Sequence, residues 1–179
     1  MSKSTIQNDL SIEYLLDTNA FDNFINKEID WEKLGKTKII CTEIQREEIL
    51  NLQNENRRNT LLETFSAVNP EVVAAEGGYY GIVHYGASKY TDGDDLDRIR
   101  MKIIQADIEL AMREGKKLNQ KFSDLINNWS RDAIIIFTAF KRGKFCRVVS
   151  DDSALRKVCK DLGINQTVRT NKFLRRFLG

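Results

Sequence analysis

Two apolar runs in this chain each end abruptly on acid: "EYLL" stops at Asp17, and "RVVS" stops at Asp151 and Asp152. Further carboxylates lie where they could join these. Glu43 and Glu47 are four residues apart in "TEIQREEIL", hence on one face of a helix, and Asp132 leads the very apolar "AIIIF". Carboxylates gathered at one place repel one another unless cations neutralise them. Hard oxygen donors of this kind select Mg2+ or Mn2+. Two such ions about 3.5–4 Å apart activate a water and stabilise the leaving oxygen of a phosphodiester. The chemistry expected is therefore metal-assisted phosphodiester hydrolysis. It has no need of histidine, and the chain has a single one, His84.

The elements that must position these acids follow from pattern. Residues 12–16 form a short apolar run bounded by polar residues, as a buried parallel strand does. Thr18 or Asn19 then caps a helix carrying Phe21, Phe24 and Ile25. Residues 38–41 repeat the strand pattern, and Thr42 opens a helix through "TEIQREEILNLQNENRR". Near the other end "RDAIIIFTAFKRG" reads as a buried helix closed by Gly143. "FCRVVS" reads as a strand, "DDSALRKVCKDLG" as a helix ending at Gly163, and "INQTVRT" as a short last strand. Residues 171–178 form a final amphipathic helix with Phe173, Leu174 and Phe177 inward. Such alternation specifies an α/β fold in three layers, α/β/α, with a central parallel sheet. Ligand sites in such sheets lie outside the carboxyl ends of the strands, which is where Asp17, Asp151 and Asp152 fall.

One domain accounts for all 179 residues, with a helical and loop insertion around 64–128. In that insertion a helix ends before Pro70 and another spans 96–118. Between them runs a long glycine- and tyrosine-rich segment in which His84, Tyr79, Tyr80 and Tyr85 could stack on bases. "TDGDD" lacks the spacing of a calcium loop and reads as a turn and cap. No run approaches the ~18 apolar residues of a membrane span, and "MSKSTIQNDL" lacks a signal-peptide core. The expectation is a cytoplasmic protein with no membrane contact. Cys41, Cys146 and Cys159 lack any CxxC pairing and read as reduced core thiols. Net charge is only +2, so no global field favours nucleic acid. Basic groups at Arg57-Arg58, Lys116-Lys117, Arg175-Arg176 and Lys141, Arg142 and Lys144 permit a phosphate-binding face. There is no GxSxG, no Walker loop, and no Arg and His pair of the metal-independent ribonuclease type.

"LLDTNAF", "CTEIQREEIL", "RDAIIIFTAF" and "VVSDDSALRK", in that order, resemble the four acidic motifs of the PIN domain, a metal-dependent nuclease family. The resemblance covers residues 12–54 and 130–179 and leaves out the middle. It implies metal ligands at Asp17, Glu47, Asp132 and Asp152, with Asp151 the competitor of Asp152 and Glu43 or Glu48 less well spaced than Glu47. A further family acid falls on Ala154. Thr18, Asn19 and Ser150 match polar positions that steady the ligands or their waters. The implied activity is an Mg2+- or Mn2+-dependent endoribonuclease with an RNA substrate. A toxin role, an antitoxin protein partner and a homodimer are implied by the same resemblance. The alternatives are a catalytically silent PIN-like module that binds RNA or protein, and a structure-selective DNA nuclease.

Overall fold

Strand residues here alternate between two apolar layers, which fixes the sheet as the middle of a sandwich. The computed structural model describes residues 12–25, 27–78, 88–89, 93–115, 122–164 and 167–178. In chain order the elements are β1 (Glu13–Leu16), α1 (Thr18–Asp22), α2 (Trp31–Gly35), β2 (Lys38–Thr42), α3 (Glu43–Leu50), α4 (Glu55–Val68) and β3 (Glu71–Val73). There follow β4 (Ala75–Glu76), β5 (Ser88–Lys89), α5 (Gly93–Glu114), α6 (Phe122–Arg142), β6 (Cys146–Val149), α7 (Ser153–Asp161) and α8 (Thr170–Leu174). The main sheet is parallel throughout, in the order β3-β2-β1-β6. Tyr14 lies opposite both Ile39 and Arg147, and Leu16 opposite Val149.

Leu15, Ile40 and Val148 point to one face and pack with Ile99 and Ile103 of α5, Ile134 and Phe137 of α6, and Leu155 and Cys159 of α7. Tyr14, Leu16, Ile39 and Val149 point to the other and pack with Phe21 of α1, Leu61 of α4 and Phe173 of α8. Each fully buried Leu, Ile or Phe contributes about 1.5–3 kcal/mol of transfer free energy, so the two layers account for most of the driving force. The architecture is thus the expected three-layer α/β/α sandwich around a parallel sheet. Sequential strands run outward on one side of β1 and return to its other side through β6. The strand order therefore reverses between β1 and β6, where open parallel sheets place their sites.

Several expected boundaries are corrected. Asp17, not Thr18 or Asn19, caps α1. The single helix expected from Thr42 onward is two helices, because Asn54 opens a new one by accepting from the Arg57 N–H at 2.9 Å. Asp132 stands in the middle of α6 rather than near its start, since that helix begins ten residues earlier at Phe122. The last strand shrinks to one parallel bridge, Val149 to Val168, and the last helix to α8, with Phe173, Leu174 and Phe177 buried as expected. The segment 64–128 is not wholly an insertion: α4 runs through its start, α6 through its end, and β3 is the fourth strand of the main sheet. Its middle holds β4, β5 and α5, with α5 packed on α6 and α7. The tyrosine-rich stretch with Tyr79, Tyr80, His84 and Tyr85, the pair Lys116-Lys117 and the start of "TDGDD" lie outside the described residues.

The three cysteines are free and buried, and burial pushes Cys41 and Cys146 up to about 12, so they are core thiols and not thiolates. Among the described residues no helix is long and apolar enough to cross a membrane. At the amino edge of the sheet, Glu13 accepts from Arg142 at 2.6 and 3.0 Å and pairs with Lys38 at 2.5 Å. These cations hold the Glu13 carboxyl down at about 2. The carboxyl edge is built in the opposite sense.

Candidate functional site

Asp17 leaves β1 with its backbone N–H still bonded to the Val149 carbonyl at 2.9 Å, which locks it to β6. The residue is 5% exposed. Oδ1 accepts from the Thr18 N–H at 2.7 Å, and Oδ2 accepts from Asn19 Nδ2 and from Ser150 Oγ, both at 2.6 Å. Three donors hold the carboxylate rigidly, yet they do not offset its surroundings. Burial pushes its pKa up to about 7, the Ser150 bond opposes this, and the charges of Glu48 and Asp152 add to it. Thr18, Asn19 and Ser150 are thus the donors that hold this carboxylate.

From α3, Glu48 reaches this edge, beside the Glu47 that the resemblance implies. Gln45 sets the rotation of the helix. Its Oε1 accepts from the Thr42 N–H at 2.8 Å and its Nε2 donates to the Leu16 carbonyl at 3.1 Å, so this face of α3 is pinned to the end of β1. Glu48 lies three residues on, along the same face. It accepts from the Thr18 hydroxyl, and burial raises its pKa. Glu47 lies about 100° further round the helix. Glu43 pairs instead with Arg46 at 3.5 Å.

Asp132 is partly exposed, but the five residues that follow it, Ala133 to Phe137, are buried. Its pKa is raised well above the ordinary carboxylate range, first by burial and then by Asp17, Asp152, Glu48 and Asp107. Asp152 caps α7, accepting from the Leu155 N–H at 2.7 Å, while its own N–H donates to Ser150 Oγ at 3.0 Å. Capping and membership of the acidic group thus coexist. Asp151 is turned away: it is exposed, accepts from Asn23 Nδ2 at 2.9 Å and from the Thr170 N–H at 3.2 Å, and so braces α1 against α8. Of the two neighbours, Asp152 is the one whose charge reaches Asp17 and Asp132.

Glu48, placed behind Glu47 by motif spacing, shares one face of α3 with Thr42 and Gln45, three residues apart. Two participants were not foreseen. Arg131, the neighbour of Asp132, brings a guanidinium within 3.7 Å of Glu48 and is the local cation. Asp107 arrives on α5 and accepts from Trp129 Nε1 at 2.7 Å, one turn of α6 before Asp132. Nothing in one sequence announces that helix pairing.

At the switch point of the sheet, the charges of Glu48 and Asp152 add to the burial that raises Asp17 and Asp132, and those of Asp17 and Asp107 add further at Asp132. Among the described residues no three Asp, Glu, His or Cys stand close enough to form a metal-binding group. Compared with protein-family models and with curated proteins, the chain matches no family model and no curated protein.

Proposed function

We propose that this protein is an Mg2+- or Mn2+-dependent endoribonuclease of PIN type. The observation that carries the reading is Asp17: a buried, rigidly held carboxylate, raised to about 7, facing two further acids across the β1/β6 switch point. A structural acid at that place would gain a cation, as Glu13 does at the opposite edge; among the described residues Asp17 has no ion pair, while Arg131 lies beside Glu48 and Arg156 donates to the Ser150 carbonyl. The donor set fits a hard divalent ion, because magnesium is held by one or two carboxylates with waters and substrate phosphate making up the rest. A group of three protein ligands is not required for that.

Asp17 and Asp152 would hold such an ion, with Glu48 and Asp132 as the further ligands. Bound there, a divalent cation supplies a water of lowered pKa and a Lewis acid for the scissile phosphate. The chain's own contribution is orientation. Ser150 and Asn19 aim Asp17, the Leu155 N–H aims Asp152, and Thr18 ties Glu48 to α1. RNA as substrate, a toxin role with an antitoxin partner, and a homodimer rest on the resemblance of the four motifs; a cytoplasmic location rests on the N-terminal sequence and the absence of a long apolar run. The test is cleavage of labelled single-stranded RNA beside a flapped DNA in Mn2+. RNA cleavage lost in Asp17→Asn and in excess EDTA supports the reading. Preferential cleavage of the DNA assigns the same site to a structure-selective nuclease.

A second reading is favoured by one observation, the lack of a closed three-ligand group among the described residues. On it the protein is a silent PIN-like module that binds RNA or protein. Binding that is intact in Asp17→Asn, without Mn2+-stimulated cleavage by the wild type, would select it.

A further inference from the structure

Tyr14 holds two arginines at once. Arg147, its partner across β1 and β6, donates from Nη1 to the Tyr14 hydroxyl at 3.2 Å, and Arg176, just past α8, donates to the same oxygen. Both guanidiniums also lie over the Tyr14 ring, 5.8 Å and 5.7 Å from its centroid. Two cations thus share one neutral acceptor. Among the described residues neither makes an ion pair, whereas Arg142 and Arg131 each have a carboxylate. Arg147 Nε is buried with no hydrogen-bond partner. A guanidinium carries five donors, so most of the capacity of this pair is unspent. Like charges brought together in this way are stabilised by an anion between or across them, and the guanidinium fork matches the oxygens of phosphate.

The position of the pair is informative. Tyr14 is the second residue of β1, and Asp17 follows the strand's last residue, about 10 Å further along the chain. Helix α8 meets the carboxyl edge at Thr170 and Asp151 and packs on Tyr14 through Phe173, with ring centroids 4.9 Å apart. Around α8 stand Arg169, Lys172 and Arg175, all exposed and none in an ion pair among the described residues.

We propose that Arg147 and Arg176, aligned by Tyr14, form a phosphate-binding site that anchors the substrate backbone about 10 Å from the carboxylate cluster. This rests on the nuclease reading for its substrate, but not for its chemistry, which is recognition of a phosphate group. Arg176 is exposed, so its loss leaves the fold intact; Tyr14→Phe is a second variant that keeps both charges and removes their shared acceptor.

Two measurements on the full chain test the site. The first is the thermal stabilisation given by inorganic phosphate over matched chloride. The second is the affinity of a labelled single-stranded RNA for protein in the Asp17→Asn background, as a function of salt. For Arg176→Gln the expected results are loss of the phosphate stabilisation and RNA binding weaker by about five- to tenfold. The slope of log affinity against log salt should fall by about 0.7, and Tyr14→Phe should show a smaller change in the same direction. Loss of phosphate stabilisation with unchanged RNA affinity keeps the site and assigns it to a free phosphate-bearing ligand. Unchanged phosphate stabilisation and an unchanged salt slope overturn the proposal. A wild type that never cleaves RNA defeats the nuclease reading and leaves the phosphate arm standing on its own.

Discussion

Protonation of Asp17 couples stability to pH in a definite sense. Its pKa is raised from 3.8 to about 7, so the folded state binds the proton more tightly than the unfolded state. Stability of the metal-free protein therefore falls as pH rises from about 4 to about 7, and the raised values of Asp132 and Glu48 act in the same direction. Thermal unfolding in EDTA should show a midpoint that drops by several degrees between pH 5 and pH 8, about 2–4 °C for each kcal/mol. Mn2+ should recover most of that loss, and Asp17→Asn should flatten the pH dependence. A flat wild-type profile would contradict the coupling. The acid of α3 gives a second prediction at this scale: Glu48→Gln should reduce Mn2+-dependent cleavage by at least about 100-fold, and Glu47→Gln by less than about threefold. Equal effects would contradict the assignment. Asp17, its supports Thr18, Asn19 and Ser150, and the pair Asp151-Asp152 were legible in the sequence, because each borders an apolar strand whose end is easily read. Between Glu47 and Glu48 the sequence offers only motif spacing, which fixes a helix but not its rotation; the bond from Gln45 to Leu16 sets that rotation.

Elements with long apolar periods or clear stops were equally legible. Gly143, at φ +81°, ends α6 where expected, in a conformation that only glycine adopts at low cost. A β-carbon there would meet nothing within 4 Å, so the cost of Gly143→Ala is backbone strain alone. That substitution should lower stability by about 1–2 kcal/mol in denaturant unfolding, with no change in metal affinity. A loss below about 0.3 kcal/mol would show that the helix end relaxes. The elements that escaped were short or held by distant partners. β3 has three residues, Glu71–Val73, too few for any period, and it is recruited by its register with Cys41. The last strand was overread because Val168 pairs with Val149 through a single bridge. Helix α5 was foreseen as a helix, but its docking through Asp107 and Trp129 depends on a contact between residues 22 apart in sequence. Trp129→Phe removes that donor and should cost about 1 kcal/mol of stability.

On the whole molecule, a net charge of +2 hides a separation of sign. Acids concentrate at the carboxyl edge by the β1/β6 switch point, and Arg169, Lys172, Arg175 and Arg176 flank α8 beside it. A polyanion approaching the acids thus does so along a basic flank. The rate of RNA cleavage at low substrate should fall as ionic strength rises, since exposed cations are screened beyond about 8–10 Å at physiological salt. An ionic-strength-independent rate would remove the basic flank from the account. The central claim is that the acidic group at the switch point works through a divalent cation. Its most direct test is the cleavage rate of one labelled single-stranded RNA by wild type, Asp17→Asn and Glu48→Gln, each with Mn2+ and with excess EDTA. Cleavage is expected from wild type in Mn2+ alone, with loss of at least about 100-fold in both variants and in EDTA. Cleavage by Asp17→Asn, or by wild type in EDTA, at the wild-type Mn2+ rate would contradict it.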